Sequence, residues 1–308
     1  MPADSERILE HPERSSLGAL VSDFILIQLP MAASAAALLF ATARLLGRPL
    51  DGAWYAAAFL GTWCVYLRDS AASCDAEDRL SQPRRAAIFR SSRLLRTGLP
   101  ILTALLGLGV LFWVQPGRLT MGLLLAVAFL GLLHAIPFGG GLGTRRFRFD
   151  FKQLAVVKSP LVSIAWAVAA VALPLLEGAG DTAATTDWLI GLWLVGLLVP
   201  ILLADSLLLD VRDLEADRAY GLRTIAVRVG PKRVHLLLGI LVAASVTVAL
   251  LGTGRIETPS GWMTFCMTAG LGLGLGWACW PWVGHREAAI TLSMMGWRFL
   301  LLIPVMLR

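Results

Sequence analysis

Apolar runs of roughly 20 residues recur along this chain, and each is long enough to cross a lipid bilayer as a helix. Nine of them lie near 18–43, 53–67, 97–114, 119–137, 155–176, 187–209, 234–253, 262–283 and 289–306. A backbone inside hydrocarbon must satisfy its own N–H and C=O groups, so runs of this length are expected to be helices. The weaker alternation of a membrane barrel strand is absent. Composition agrees. The 308 residues are 57% hydrophobic and only 16% charged, with a mean hydropathy of +0.71, whereas a soluble domain carries about 25% charged residues. The expected fold is all-α: a polytopic membrane protein of nine transmembrane helices. A single membrane-embedded domain over 17–308 would follow a polar arm at 1–16. That arm lacks the short apolar core behind a basic start that marks a signal peptide. Pro30 and Pro200 fall inside two of the runs and are expected to kink them.

The loops between the runs alternate in charge. Most of the 27 Lys and Arg residues share the side of the N-terminus, including seven arginines from Arg68 to Arg96 and six basic residues from Arg212 to Arg233. The opposite side holds Arg44, Arg48, Arg118, Arg255 and Arg308. The positive-inside rule places the N-terminus and the long loops in the cytoplasm, and an odd number of spans places the C-terminus outside. The implied location is the cell inner membrane. The net charge of +6 is then largely topological; its partner is the lipid bilayer and not nucleic acid. Cys64, Cys74, Cys266 and Cys279 are scattered with no metal-ligand spacing, which fits small core residues better than a metal site.

Two loops on the N-terminal side are acidic and then basic. One reads YLRDSAASCDAEDRLSQPRRAAIF; the other reads ADSLLLDVRDLEADRAYGLRTIAVRVG. In the second, Asp210, Asp213 and Asp217 recur at i, i+3 and i+7, which places three carboxylates on one face of a helix. Like charges so spaced repel. A divalent cation is the simplest way to offset them, and hard carboxylate oxygens suit Mg²⁺, which binds one or two carboxylates together with a substrate phosphate. Thr224, Arg223, Arg228, Lys232 and Arg233 follow as groups able to meet phosphate oxygens. In the first loop Asp75 and Asp78 share a helical face, Asp69 does not, and Pro83 precedes Arg84, Arg85, Arg90 and Arg93. Two such loops on one membrane side could hold Mg²⁺ ions that bridge a diphosphate whose apolar tail lies between the helices. The bland alternative is a pair of solvated, mixed-charge juxtamembrane helices.

At these residues the chain resembles the UbiA superfamily of intramembrane prenyltransferases. Asp210-Val-Arg-Asp213-Leu-Glu-Ala-Asp217-Arg218, followed by Gly221-Leu-Arg-Thr224 and Val229-Gly230, is similar to that family's second aspartate motif. The segment LLHAIPFGG, a basic loop, Lys158 and an apolar span containing Trp166 resemble its fourth-to-fifth helix region. The first motif departs from the family's NxxxDxxxD. Anchored on Pro83, those places fall on Ser70, Cys74 and Asp78, and only Asp78 keeps a carboxylate; Asp69 and Asp75 lie one residue from the other two.

The resemblance implies a UbiA-like bundle and Mg²⁺-dependent transfer of a prenyl group from a polyprenyl diphosphate to a lipophilic or aromatic acceptor. It assigns Asp78, Asp213 and Asp217 to catalysis. Asp75, Asp78, Asp210, Asp213 and Asp217 become the metal set, and Arg79, Lys158 and Arg223 the diphosphate contacts. A terpene cyclase on the same scaffold and a non-catalytic isoprenoid-lipid-binding membrane protein are the alternatives.

Overall fold

The computed structural model describes residues 23, 26–74, 78–135, 155–178, 185–252, 269, 270, 272, 274 and 296–303. Every regular element among them is helical. The long helices follow the apolar runs closely: α1 (Leu29–Leu45), α2 (Gly52–Ser73), α5 (Leu99–Val114), α6 (Arg118–Ala135), α7 (Ala155–Glu177), α8 (Thr185–Arg212) and α11 (Pro231–Gly252). Between them run the short helices α3 (Asp78–Ser81), α4 (Pro83–Ser91), α9 (Leu214–Ala219) and α10 (Ile225–Val229), and a π-helical turn at Leu94–Gly98 leads into α5. Among the described residues, four stretches are long and apolar enough to cross a membrane: Leu94–Val114, Val156–Glu177, Asp187–Arg212 and Pro231–Leu251. The eighth and ninth expected spans lie mostly outside the described residues, so the count of nine is an expectation from sequence.

Lipid-facing surface is visible directly. Phe112 and Trp113 on α5, Leu119 on α6 and Leu251 on α11 are each more than three-quarters exposed. A soluble monomer rarely displays so much apolar surface; in hydrocarbon it costs nothing. The interior is built by α8, which packs on α7 and α11 and buries Leu194, Leu197, Leu198, Ile201, Leu202 and Leu208. On the other half, α2 packs on α1, α5 and α6. Helix α1 buries Ala32, Ala35, Ala41 and Ala43, small residues that permit close backbone approach. There Thr42 Oγ1 donates across to Ala170 O of α7 at 2.7 Å.

Pro30 does not kink a helix. It occupies the first turn of α1, where a missing N–H is harmless, behind Gln28 in a left-handed conformation. Pro200 does lie inside α8, and α7 contains Pro160 and Pro174. At the end away from the acidic loops, Arg48 pairs with Asp187 and Gly117 N donates to Glu177 Oε1 at 3.1 Å.

Among the described residues, one charge pair lies deep within the bundle. Asp205 of α8 and Arg298 are both almost fully buried and bonded to each other. Trp297 Nε1 donates to Asp205 Oδ1 at 3.2 Å, Arg298 reaches Ser34 Oγ at 3.2 Å, and its guanidinium lies 4.6 Å from the centre of the Trp166 ring. Pairing and ring stacking are what let ionised groups persist at membrane depth.

Candidate active site

Helix α2 ends at Ser73, and the chain then turns through α3 and α4 at the rim of the bundle. Asp78 opens α3 and is 3% exposed. Arg85, one turn into α4, grips it with both arms: Nη2 to Oδ1 at 2.7 Å and Nε to Oδ2 at 3.1 Å. Ser73 Oγ adds a third bond at 2.8 Å. Pro83 starts α4 with its fixed φ and so sets where Arg85 points.

The second acidic loop does not continue as one helix through its three carboxylates, contrary to the reading from their spacing. Helix α8 ends at Arg212, and Asp213 sits at a break before α9. Each carboxylate then finds its own hydrogen-bond partner. Asp210 accepts from Ser159 Oγ of α7 at 2.9 Å. Asp213 is held by its neighbour Arg212 at 2.6 and 2.8 Å. Asp217, 3% exposed, accepts from Thr224 Oγ1 at 2.9 Å. The same hydroxyl caps α10 by accepting from Val227 N at 3.3 Å. The turn between needs Gly221 at φ +69°, a conformation that side chains resist. The Gly-Leu-Arg-Thr sequence is therefore the device that brings Thr224 back onto Asp217.

Helix α9 packs on α3, so the two loops form one rim. Arg85 and Lys158 both act on Asp213. Burial works against its ionisation, but the charge and hydrogen bonds of Arg212, helped by Arg85 and Lys158, outweigh that and hold its carboxyl below the usual range.

Beneath the rim lies an apolar cavity of about 290 Å³ between α1, α2, α5, α6 and α7. Asp69, Tyr66 and Lys158 line one end of it; Trp54, Leu39, Leu111 and Leu173 line the other. Of the expected diphosphate contacts, Lys158 is thus at the cavity, while Arg79 and Arg223 are exposed on the loops. Asp75 falls outside the described residues. Arg85 and Arg212 are the site residues that sequence reasoning missed. The first was visible only as one of several arginines after Pro83, and the second as the charge inside the Asp-Val-Arg-Asp motif.

No three metal-ligating side chains are gathered into one cluster among the described residues. The donors nevertheless suit Mg²⁺, which needs few protein ligands when phosphate supplies the rest. Among the described residues, three buried polar atoms of the first loop also have no hydrogen-bond partner: Ser70 Oγ, Ser81 Oγ and Gln82 Nε2. Such atoms are costly unless something completes them.

The structure thus sets an acidic and basic rim over an apolar cavity in a helical membrane bundle. The model of the UbiA prenyltransferase family matches residues 75–303. The chain belongs to this family of membrane-embedded prenyltransferases. No curated protein matches it.

Proposed function

We propose that the protein transfers a prenyl group from a polyprenyl diphosphate to a lipophilic or aromatic acceptor, with Mg²⁺ at the two acidic loops. The observation that carries this reading is the cavity with Lys158 and Asp69 at one end and hydrocarbon along the rest. A prenyl diphosphate has that same division of polarity along its length.

In this reading the carboxylates of Asp78, Asp213 and Asp217, with Asp210 and Asp75 beside them, would hold the metal. Mg²⁺, when bound, supplies positive charge that stabilises the departing pyrophosphate. Arg85 and Arg212 are bonded to Asp78 and Asp213, so the same two pairs offer carboxylates to a metal and guanidiniums to phosphate oxygens, which Arg binds well in a fork geometry. Lys158 orients the head at the cavity, and Arg79 and Arg223 neutralise it from the loop surface. The bond between the allylic carbon and the diphosphate oxygen breaks, with its electron pair leaving on pyrophosphate. The acceptor's nucleophilic atom bonds to that carbon and releases a proton. Apolar walls keep water from competing for the same carbon.

The test uses purified protein in nanodiscs, a radiolabelled allylic diphosphate and a lipid extract as acceptor source. Label should move into a new organic-soluble species with Mg²⁺ and stop when the metal is chelated. Mg²⁺-dependent retention of unreacted donor with no transfer would instead support the non-catalytic lipid-binding reading.

A further inference from the structure

We propose that Arg90, Arg93 and Arg96 form a site for anionic phospholipid headgroups at the membrane edge of the first acidic loop. Prenyl transfer at the rim makes no use of them. They lie in a charge run of one sign: no Asp or Glu stands between Asp78 and Asp150. All three are exposed. Among the described residues none of them meets a carboxylate; Arg90 donates to Ala86 O of its own helix at 3.4 Å. Arg85, by contrast, turns inward from the same helix to Asp78.

Depth in the membrane says what the three arginines meet. The span that follows them is apolar and exposed from Leu94 through Ile101, Leu105 and Leu108 to Phe112 and Trp113. From Leu94 to Trp113 the helix rises roughly 28 Å at 1.5 Å per residue, close to the thickness of bilayer hydrocarbon. Leu94 therefore marks the edge of the hydrocarbon, and Trp113 suits the opposite interface. Arg93 sits just outside that edge, at the level of lipid phosphates. Arg96 lies one turn deeper and reaches the same level by extending its stem. Arg90 stands in the last turn of α4. The inner face of α4, Ala86 and Phe89, packs on Leu67 and Cys74, and Leu95 of the π-helical turn packs on the same cluster. Helix and turn are thus fastened by their apolar sides while the arginines stay outside.

Uncompensated like charges held this way repel. A headgroup with net negative charge offsets them, each basic residue adding to the attraction, and guanidiniums match phosphate oxygens in a fork geometry. A zwitterionic headgroup brings its own cation and offers less. Helix α4 carries Arg90 outward and Arg85 inward, so a lipid held by Arg90 also braces the helix that grips Asp78.

The experiment compares melting temperatures of the full protein in nanodiscs of phosphatidylcholine alone and of phosphatidylcholine with phosphatidylglycerol. The anionic discs should raise the melting temperature by roughly 5 °C, and the gain should shrink as salt rises. Arg90→Gln, Arg93→Gln and Arg96→Gln together should remove most of the gain. Arg90→Lys, Arg93→Lys and Arg96→Lys together should keep most of it, and Arg118→Gln, at the other end of the bundle, should keep all of it. If the glutamine triple does not fold, Arg96→Gln alone should still reduce the gain. No gain in anionic discs would overturn the site. A gain unchanged in the glutamine variants would place the lipid elsewhere and overturn it equally. An equal gain from inorganic phosphate added to phosphatidylcholine discs would make a free anion the occupant and overturn the headgroup.

Discussion

Asp78 and Arg85 are a buried pair with few alternatives: side-chain exposures of 5% and 8% leave neither group enough water to stand alone. Removing one partner strands the other, at a cost of about 3–5 kcal/mol. Arg85→Ala should therefore lower the melting temperature of the protein in detergent, and Asp78→Asn should lower it less because a neutral amide still accepts hydrogen bonds. Asp213 is a different case. Its folded carboxyl is more acidic than its unfolded one, so it binds fewer protons when folded. It adds stability above the ordinary carboxylate range and loses it as pH falls below about 4. Arg212→Gln removes the main opposing charge. The acid limb of a plot of melting temperature against pH should then move to higher pH; an unmoved limb would mean Arg212 does not set that acidity. Some of this was legible in the residues. Asp78, Asp210, Asp213 and Asp217 stood out as carboxylates at a membrane edge. Their individual partners did not, because Ser159 is 51 positions from Asp210 and only the packing of α7 on α8 brings them together.

Elements were read more surely than pairings. The ends of α6, α7 and α8 fall within a few residues of the apolar runs, since hydropathy decides where a helix leaves hydrocarbon. The break at Asp213 was hidden by a carboxylate spacing that continues the helical period. Pro30 was read as a kink because its run starts earlier in sequence than α1 does. Asp205 and Arg298 carried a visible signal, one opposite charge in each of two apolar spans, but sequence alone does not say they meet. The turn from α9 to α10 offers a local test. Thr224→Val removes both the bond to buried Asp217 and the cap of α10, and should destabilise by about 1–3 kcal/mol. Thr224→Ser keeps the hydroxyl and should restore most of the melting temperature. A valine variant as stable as the parent would show that Thr224 does not organise the loop.

At the scale of the whole molecule, the charge bias of the loops leads us to propose that the rim faces the cytoplasm. Leu80 and Tyr220 are exposed on the two acidic loops, and Arg118 is exposed on the opposite side. In a cysteine-free background, Leu80→Cys and Tyr220→Cys should resist a membrane-impermeant thiol reagent applied to intact cells, and Arg118→Cys should react. The reverse pattern would invert the orientation.

We propose that the rim and the cavity act together on a prenyl diphosphate. Pyrophosphate release tests it most directly, measured from a farnesyl or geranylgeranyl donor on protein in proteoliposomes, with Mg²⁺ and a lipid extract containing acceptor. Release should be matched one for one by prenylated product, and both should be lost in Asp213→Ala and Asp217→Ala proteins that still show a cooperative melt. Full release and transfer in both folded variants would contradict it, because the second acidic loop would then have no part in the chemistry.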